Sequence, residues 1–409
     1  MPISKACSRI FYGNRAKRVY VSKRKNGIPF LSSSDILQAN LEDVKLASKK
    51  YTSALEQMVL QKGWTLISRS GTVGNCAFAT ANHAEKLASE DVIRLVPNNF
   101  LKQGMLFAYL ASKYGHSLLT QGTFGAVIQH IEPDFIGSLP IPDFPEDFQK
   151  KIDDMIQESA RLREDASDAL NEAIKIIENH FPSHESSRCG LINIKGVFTS
   201  LGNRFEANYH YSKGKFFDDY IKKNFEWKPL SKMADVSRPG LFKRCYVNNG
   251  LMFLGGADIF LATPMSKKFV SRTKTSDIPA LTINEGMILM PRSGTIGAVA
   301  FATSQHAQKL ASEDVIRINS DNILRTAYLY AFLSSNIGKS LIQRYIFGSV
   351  IQHVEPHLLN EIPIPILPSD QMQKIGNLAI KNKDCLGKSG ELELKAIKIV
   401  EQEIEKWNS

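Results

Sequence analysis

No run of this 409-residue sequence approaches the roughly 18–20 apolar residues that span a bilayer, and no membrane partner is expected. The opening stretch MPISKACSRIFYG lacks the apolar core of a secretory signal. Cysteine is scarce: Cys7, Cys76, Cys189, Cys245 and Cys385 are odd in number, widely scattered, and form no C-x-x-C. That argues against a disulfide framework and a cysteine zinc site, and places the chain in a reducing cytoplasm. Gly (26) and Pro (17) are at ordinary levels and 22% of residues are charged, which excludes a collagen-like or disordered chain. The motifs of catalysis are missing too. There is no G-x-x-x-x-G-K-[ST], because the two GKS triplets, 338–340 and 387–389, have Leu333 and Asn382 where the leading glycine belongs. H-E-x-x-H, cysteine–histidine zinc spacing and G-x-S-x-G are absent. So are the Asn-Pro-Pro-aromatic loop of amino-methyltransferases and a strand–G-x-G–helix cofactor site.

What the chain does have is positive charge, and it is unevenly spread. The length suggests two or three domains, and 43% hydrophobic residues can fill their cores. Residues 1–143 hold 17 basic and 10 acidic side chains, residues 144–186 hold 5 and 11, residues 187–368 hold 22 and 13, and residues 369–409 hold 7 of each. The excess of +10 therefore sits in two blocks, each followed by an acidic or neutral one. Two separate basic blocks suit a protein that grips a polyanion in two places.

The same division marks an internal duplication. GWTLISRSGTVGNCAFATANHAEKLASEDVIR (63–94) returns as GMILMPRSGTIGAVAFATSQHAQKLASEDVIR (286–317), an offset of 223. The offset holds without a gap through FGAVIQHIEP (124–133) and FGSVIQHVEP (347–356), through PIP at 140–142 and 363–365, and through AIKIIE (173–178) and AIKIVE (396–401). Over 63–142, 42 of 80 positions are identical. Upstream the copies diverge, although NGIPFLSSSDI (26–36) still echoes NGLMFLGGADI (249–259). One unit of about 220 residues is written twice. The stretch 198–225 opens the second unit and has no counterpart before Met1. Either the first unit dispenses with it, or the start has been lost, or the second copy supplies it in a cyclic arrangement.

Within each unit, mixed structure gives way to helix. WTLIS, AVAFAT and DVIRLV, with their partners MILMP and DVIRI, read as strands, and 101–120 and 324–343 each read as a helix. LPIPDFPED and IPIPILPSD break the chain before a long element. In 146–181, Phe148, Ile152, Met155, Leu162, Ala166, Ala169, Ala173, Ile177 and Phe181 form a near-heptad stripe, about 50 Å of helix. The second copy, 370–407, carries Ile375, Leu378, Leu386, Leu392, Ile397, Val400, Ile404 and Trp407, with Gly387 and Gly390 expected to weaken or kink it. An antiparallel pair of these helices would bury both stripes; packing of each on its own domain is the less favoured alternative.

The densest identical patches are Arg69-Ser70-Gly71-Thr72-x-Gly74 and Arg292-Ser293-Gly294-Thr295-x-Gly297. A glycine turn with a guanidinium, two hydroxyls and exposed backbone N–H groups suits phosphate oxygens. It equally suits a hairpin whose glycines supply positive φ while the arginine pairs with an acid such as Glu90 or Asp91. His83 with Glu90 and Asp91, and His306 with Glu313 and Asp314, are spaced too widely for a convincing ligand set, so a structural hydrogen-bond role is favoured. Gln129-His130 and Gln352-His353 follow the Phe-Gly turns, and Gln can read adenine or simply cap a turn. The divergent N-terminal parts hold the remaining candidate DNA contacts. The first copy offers Arg15, Lys17, Arg18, Lys23, Arg24 and Lys25, and the second Arg238, Lys243, Arg244, Lys267, Lys268, Arg272 and Lys274, interleaved with Tyr20, Phe242 and Tyr246.

A variable basic domain, G-[WM]-x-L-x-x-R-S-G-T-[VI]-G, an F-G-x-V-I-Q-H-[IV]-E-P to P-I-P passage and a helix, all given twice over nearly the whole chain, resemble the specificity (S) subunits of type I restriction–modification systems. RFEANYHY (204–211) looks like the R-x-[DE]-A-x-Y-[YH] opening of such domains, and its lack in the first half is the main departure. The resemblance implies an α+β chain of two pseudo-repeated mixed α/β target-recognition domains joined by two long antiparallel coiled-coil helices. Their expected limits are 1–143 and 187–368, with helices in 144–186 and 369–409. Each domain would read half of a split site on double-stranded DNA. The helices would act as a ruler and as the dock for methyltransferase (M) subunits, two in number, through Ile152, Leu162, Ile177, Leu392, Ile397 and Ile404. Restriction (R) subunits would complete the complex. S-adenosylmethionine, ATP and Mg are expected on the partner subunits, with no cofactor on this chain and no catalysis by it. Two rivals stand beside this reading: a nucleic-acid hydrolase using the duplicated His and Glu-Asp sets, and an interaction scaffold without a DNA role.

Overall fold

Two strands, Val92–Pro97 and Val315–Asn319, open with four consecutive buried side chains, and a strand buried on both faces must be covered on both. Val92–Pro97 is flanked by Cys7–Tyr12 and Thr65–Ser68, both antiparallel, with Cys76–Phe78 beyond the latter. A smaller sheet orders Tyr20–Val21, Lys45–Ser48, Gly27–Leu31 and Leu87–Ala88, the last pair parallel. The second half repeats both sheets, as Asp235–Ser237, Val315–Asn319, Ile288–Pro291 and Ala300–Phe301, and as Tyr246–Val247, Phe269–Val270, Leu251–Leu254 and Leu310–Ala311. The computed structural model describes residues 1–13, 15, 17–123, 130–184, 194–198, 200 and 204–407. They form two compact units, Met1–Ser167 with Cys385–Ser409, and Asp168–Asp384. The chain is thus the expected α+β pair of repeated domains with two long helices, but the division falls inside both helices and does not set them apart as segments of their own.

One buried arginine fastens the two sheets of each unit. Arg94, on the central strand, has no accessible surface. Its Nη1 donates to the carbonyls of Ser89 (3.2 Å) and Val92 (2.6 Å), and its Nη2 to those of Met58 (3.3 Å) and Ala88 (2.7 Å). Arg317 repeats the clamp on Ser312 (3.3 Å), Val315, Leu281 (3.1 Å) and Ala311 (3.0 Å). Ala88 and Ala311 belong to the parallel edge strands of the small sheets, so the guanidinium ties one sheet to the other. Burial pushes each guanidinium down to about 10, which leaves it charged at neutral pH.

Each expected single helix is two, Gln103–Ala111 followed by Lys113–Gln121, and Ile323–Ser334 followed by Asn336–Arg344. The breaks are Ser112 and Ser335, in extended backbone, whose Oγ caps the second helix by accepting from the N–H of Gly115 (3.2 Å) and Gly338 (3.1 Å). A Cβ on either glycine would stand 2.2 Å from a carbonyl of the preceding helix, so the corner requires glycine.

The long helices run Glu146–Glu178 and Ser369–Lys406. The second is unbroken at Gly387 and Gly390, contrary to expectation. Both glycines are buried, and tertiary burial outweighs a propensity deficit of about 1 kcal/mol per glycine. Within the first unit the rings of Phe144 and Trp407 lie 5.2 Å apart, and Ser159 Oγ donates to Ser389 O at 2.9 Å, so the halves run antiparallel. Within the second, Glu172 pairs with Lys374 at 2.9 Å, and His180 meets Gln371 at 2.6 Å. The apolar stripes also serve the cores. Ile152, Ile156, Ala396, Val400 and Ile404 join the core of the first unit, and Leu170, Ala173, Ile177, Ile375 and Ala379 that of the second. Pairing and core packing occur together, but only half of each helix packs on its own domain: Leu170, Ala173 and Ile177 of the first helix join the second core, and Ala396, Val400 and Ile404 of the second join the first. Among the described residues no helix is long and apolar enough to cross a membrane.

Arg317→Lys removes the planar fork and leaves buried carbonyls without donors. It is expected to destabilise the chain by about 3 kcal/mol, read as a lowered urea midpoint; an unchanged midpoint would refute the clamp.

Candidate nucleic-acid interface

The duplicated turn lies where the strand Thr65–Ser68, or Ile288–Pro291, runs out at one edge of its sheet. Gly71 and Gly74 take φ of 74° and 83°, and Gly294 and Gly297 take 78° and 98°. A Cβ on Gly71 or Gly294 would meet nothing within 4 Å, so backbone conformation, not crowding, demands glycine there. Thr72 and Thr295 are exposed at the tips, with Ser70 and Ser293 half-buried behind them.

The two arginines do not point freely outward. Arg69 Nη2 donates to Glu132 Oε1 at 2.5 Å, its guanidinium lies 4.5 Å from the Tyr12 ring centre, and its backbone N–H bonds Asp91 O at 2.8 Å. Arg292 donates to Glu355 at 2.7 Å and to Asp314 at 3.3 Å, and Arg238 donates to the other oxygen of Glu355 at 3.1 Å. Burial alone would raise the Glu355 carboxyl, but the bonds and charges of Arg292 and Arg238 outweigh it and hold it below the usual carboxylate range. Arginine–acid pairing is therefore the geometry of this turn. Asp314 is one of the acids expected from the sequence, whereas Glu132 and Glu355 were not singled out. Their signal was present, since each is the acid of the F-G-x-V-I-Q-H-[IV]-E-P passage, duplicated along with the arginine.

The passage itself closes on the turn. In the second unit His353 forms a β-bridge with Ser293, and Val354 N–H donates to Arg292 O at 3.0 Å. Gln352 is exposed beside Val350 and Ile351. In the first unit His130 is half-buried, and Gln129 lies outside the described residues.

The divergent loops reach the same edge. Arg18 pairs with Glu90, and Arg15 lies 3.9 Å from that carboxylate. In the second unit Arg244 repeats this pairing with Glu313 at 2.7 Å, each arginine standing two residues before the tyrosine that opens the next strand, Tyr20 or Tyr246. Lys17 and Lys243 are exposed on these loops. Lys23, Arg24 and Lys25 lie instead in the turn between two strands of the small sheet of their unit, and Lys267, Lys268, Arg272 and Lys274 in the loops flanking Phe269–Val270, all exposed. Arg24 is held by Glu42 at 2.6 Å. The structure thus gathers Arg15, Arg18, Arg69, Ser70 and Thr72 on one edge, and Arg238, Arg244, Arg292, Ser293, Thr295 and His353 on its repeat. Of the residues expected to dock a partner, Ile152, Ile177 and Ile404 lie inside the cores and Leu162 is buried, which removes them from any docking surface. Leu392 and Ile397 are half-buried.

The histidines take the structural role. The backbone N–H of Thr80 donates to His83 Nδ1 at 3.2 Å, which leaves the Nε2 proton to bond Ile36 O at 3.0 Å. His306 repeats this with Thr303 (3.1 Å) and Ile259 (3.0 Å). The acids imagined as their partners, Glu90 and Glu313, are taken by arginines, and the described residues include no cluster fit to hold a metal ion. Burial pushes both histidines down to about 4, outweighing the bond to the carbonyl, so they are neutral in the folded chain.

Acid should therefore unfold the protein early. Between about pH 6.5 and 4 the unfolded histidines bind protons that the folded ones refuse, so stability falls as pH falls, by up to ~3 kcal/mol per histidine. The paired carboxylates act only lower down, below their unfolded values near 4.5. The double variant His83→Gln, His306→Gln should flatten the melting-temperature profile between pH 6.5 and 5; an equally steep profile would contradict the assignment.

A family model described as "Type I restriction modification DNA specificity domain" matches residues 12–175 and again 194–378. Among solved structures, the type-I restriction-modification S subunit from M. genitalium shares 13% identity, covering 98% of this chain and 92% of that one, with a TM-score of 0.34. The HsdS subunit from Thermoanaerobacter tengcongensis shares 13%, covering 98% and 95%, with a TM-score of 0.31. No curated protein sequence matches the chain.

Proposed function

The chain belongs to the type I restriction modification DNA specificity family, and from that membership we propose that it reads a split site on duplex DNA, one half with each unit. It is a DNA-recognition subunit with two specificity domains. What carries the bipartite reading is the repetition of one edge: a glycine turn pinned by an arginine–glutamate pair, with a basic loop of different sequence beside it each time. The turn tips offer backbone N–H groups and the Thr72 and Thr295 hydroxyls to phosphate, and exposed lysines supply the salt-sensitive attraction. Arg69 and Arg292, engaged by carboxylates, position the turns. The loops 13–19 and 238–246 differ in sequence, so the two half-sites differ as well.

The partners in this reading are two methyltransferase subunits, docked on the long helices where Leu392 and Ile397 stay partly exposed, with restriction subunits in the full complex. S-adenosylmethionine, ATP and Mg belong to those partners, and this chain recognises without catalysing. Selection from random duplexes by the chain with its methyltransferase partner, at rising salt, is expected to recover a gapped motif with two unlike halves. A single contiguous motif would overturn the proposal.

A further inference from the structure

Leu241 is 88% exposed, yet the chain on both sides of it is anchored. Before it, Arg238 is held by Glu355 at 3.1 Å and Pro239 is buried. After it, the Phe242 ring meets the Phe253 ring edge-on at 5.9 Å. Arg244 covers both rings, at 5.9 and 5.5 Å from their centres, and pairs with Glu313 at 2.7 Å. Between these anchors only Gly240 and Leu241 project, and a Cβ on Gly240 would meet nothing within 4 Å. An aliphatic side chain is thus presented at the tip of a short, pre-ordered loop, with its ordering cost met in the folded state.

The loop's position and charge indicate what it faces. Because Glu355 binds Arg238 and Arg292 together, the loop leaves the sheet at the edge that carries the Arg292 turn. Beyond Phe242 come Lys243 and Arg244, both exposed. An exposed lysine beside a protruding aliphatic tip fits a duplex, where phosphates hold the loop through Lys243 while the apolar group enters between base pairs. The first unit's loop, GNRAKRV (13–19), carries cations and no aliphatic residue of that size before Val19. Resting on the DNA-recognition reading, we propose that Leu241 is a wedge that partly unstacks one base step of the half-site read by the second unit. The first unit's loop has no such wedge. Pyrimidine–purine steps open most easily, so the wedge makes the second unit select one at a position where no hydrogen bond to a base is needed.

The test uses the full chain with its methyltransferase partner on the selected duplex, with 2-aminopurine placed at successive positions of both half-sites. Apart from the fluorescence rise where a methyltransferase flips its target base, in either half-site, a severalfold rise is expected at one further step, in the second half-site only. Leu241→Ala should abolish it and weaken binding about tenfold, Leu241→Met should retain it, and melting temperatures should be unchanged. Persistence of the signal in Leu241→Ala overturns the wedge and leaves the bipartite reading intact. Loss of methyltransferase association in Leu241→Ala, with unstacking unaffected, assigns the leucine to a protein contact and also overturns it. Failure of the wild-type chain to select a bipartite duplex removes the recognition reading and the wedge with it.

Discussion

Each unit depends on one buried cation. A guanidinium withdrawn from water is tolerable only if nearly all its donors are met, and Arg94 and Arg317 meet this with main-chain carbonyls, not a carboxylate. Carbonyls are fixed by the backbone, so the clamp works only when the central strand, its preceding turn and the parallel edge strand of the small sheet are all in place. The edge that carries the glycine turn begins one residue before that central strand, at Asp91 and Asp314, whose carbonyls receive the N–H of Arg69 and Arg292. The clamp therefore fixes the base on which the edge with the glycine turn is built.

Both copies keep what holds the edge and change what projects from it. The clamp arginine, the histidine bridge to Ile36 or Ile259, the serine-capped corner and the arginine–glutamate pin recur residue for residue. The last turn of each long-helix repeat follows suit, with Glu178 Oε1 accepting from Asn336 N–H at 2.9 Å and Glu401 Oε1 from Lys113 N–H at 2.6 Å. That explains the repeated AIKI[IV]E, which buries two apolar residues, Ala173 and Ile177 or Ala396 and Val400, and sends its glutamate to a helix N-terminus. Arg18 on Glu90 and Arg244 on Glu313 recur in the same way, from the shared K-R-x-Tyr-Val segment, so a common pair anchors the end of loops whose preceding residues differ.

Much of this was legible in the sequence. The strands around DVIRLV and DVIRI followed from their apolar runs, and the glycines of the RSGT turns do supply positive φ. The helix corners at Ser112 and Ser335 were not legible, because a serine inside an apolar run looks like any tolerated polar residue until its Oγ is seen to cap the next turn. Gly387 and Gly390 misled in the opposite direction: propensity marks a weak point, and burial overrides it. Arg94 and Arg317 sat unnoticed inside DVIR, since alternation assigns a charged residue in a strand to the solvent face. Only the long-range placement of Met58 and Leu281 carbonyls reveals that it turns inward.

The neutralised arginines on the recognition edge bear on how such a surface discriminates. Arg238, Arg244 and Arg292 face Glu313, Asp314 and Glu355, so their charges largely cancel locally. A guanidinium already paired twice gains little from phosphate and holds its neighbours in fixed geometry whether or not DNA is present. In the proposed reading, attraction then falls to the exposed lysines, which act on any sequence, and discrimination to short loops whose ends are pinned. The pins differ in strength between copies. Glu355 binds two arginines, while Glu132 binds Arg69, whose other face rests on the Tyr12 ring. The second unit's loop is thereby tied directly into its turn through Arg238, whereas in the first unit Arg15 reaches toward Glu90 instead. One scaffold thus holds both loops by the same arginine at their far end, Arg18 or Arg244, and ties their near ends differently, which is how a duplicated domain can present unlike surfaces without altering its core.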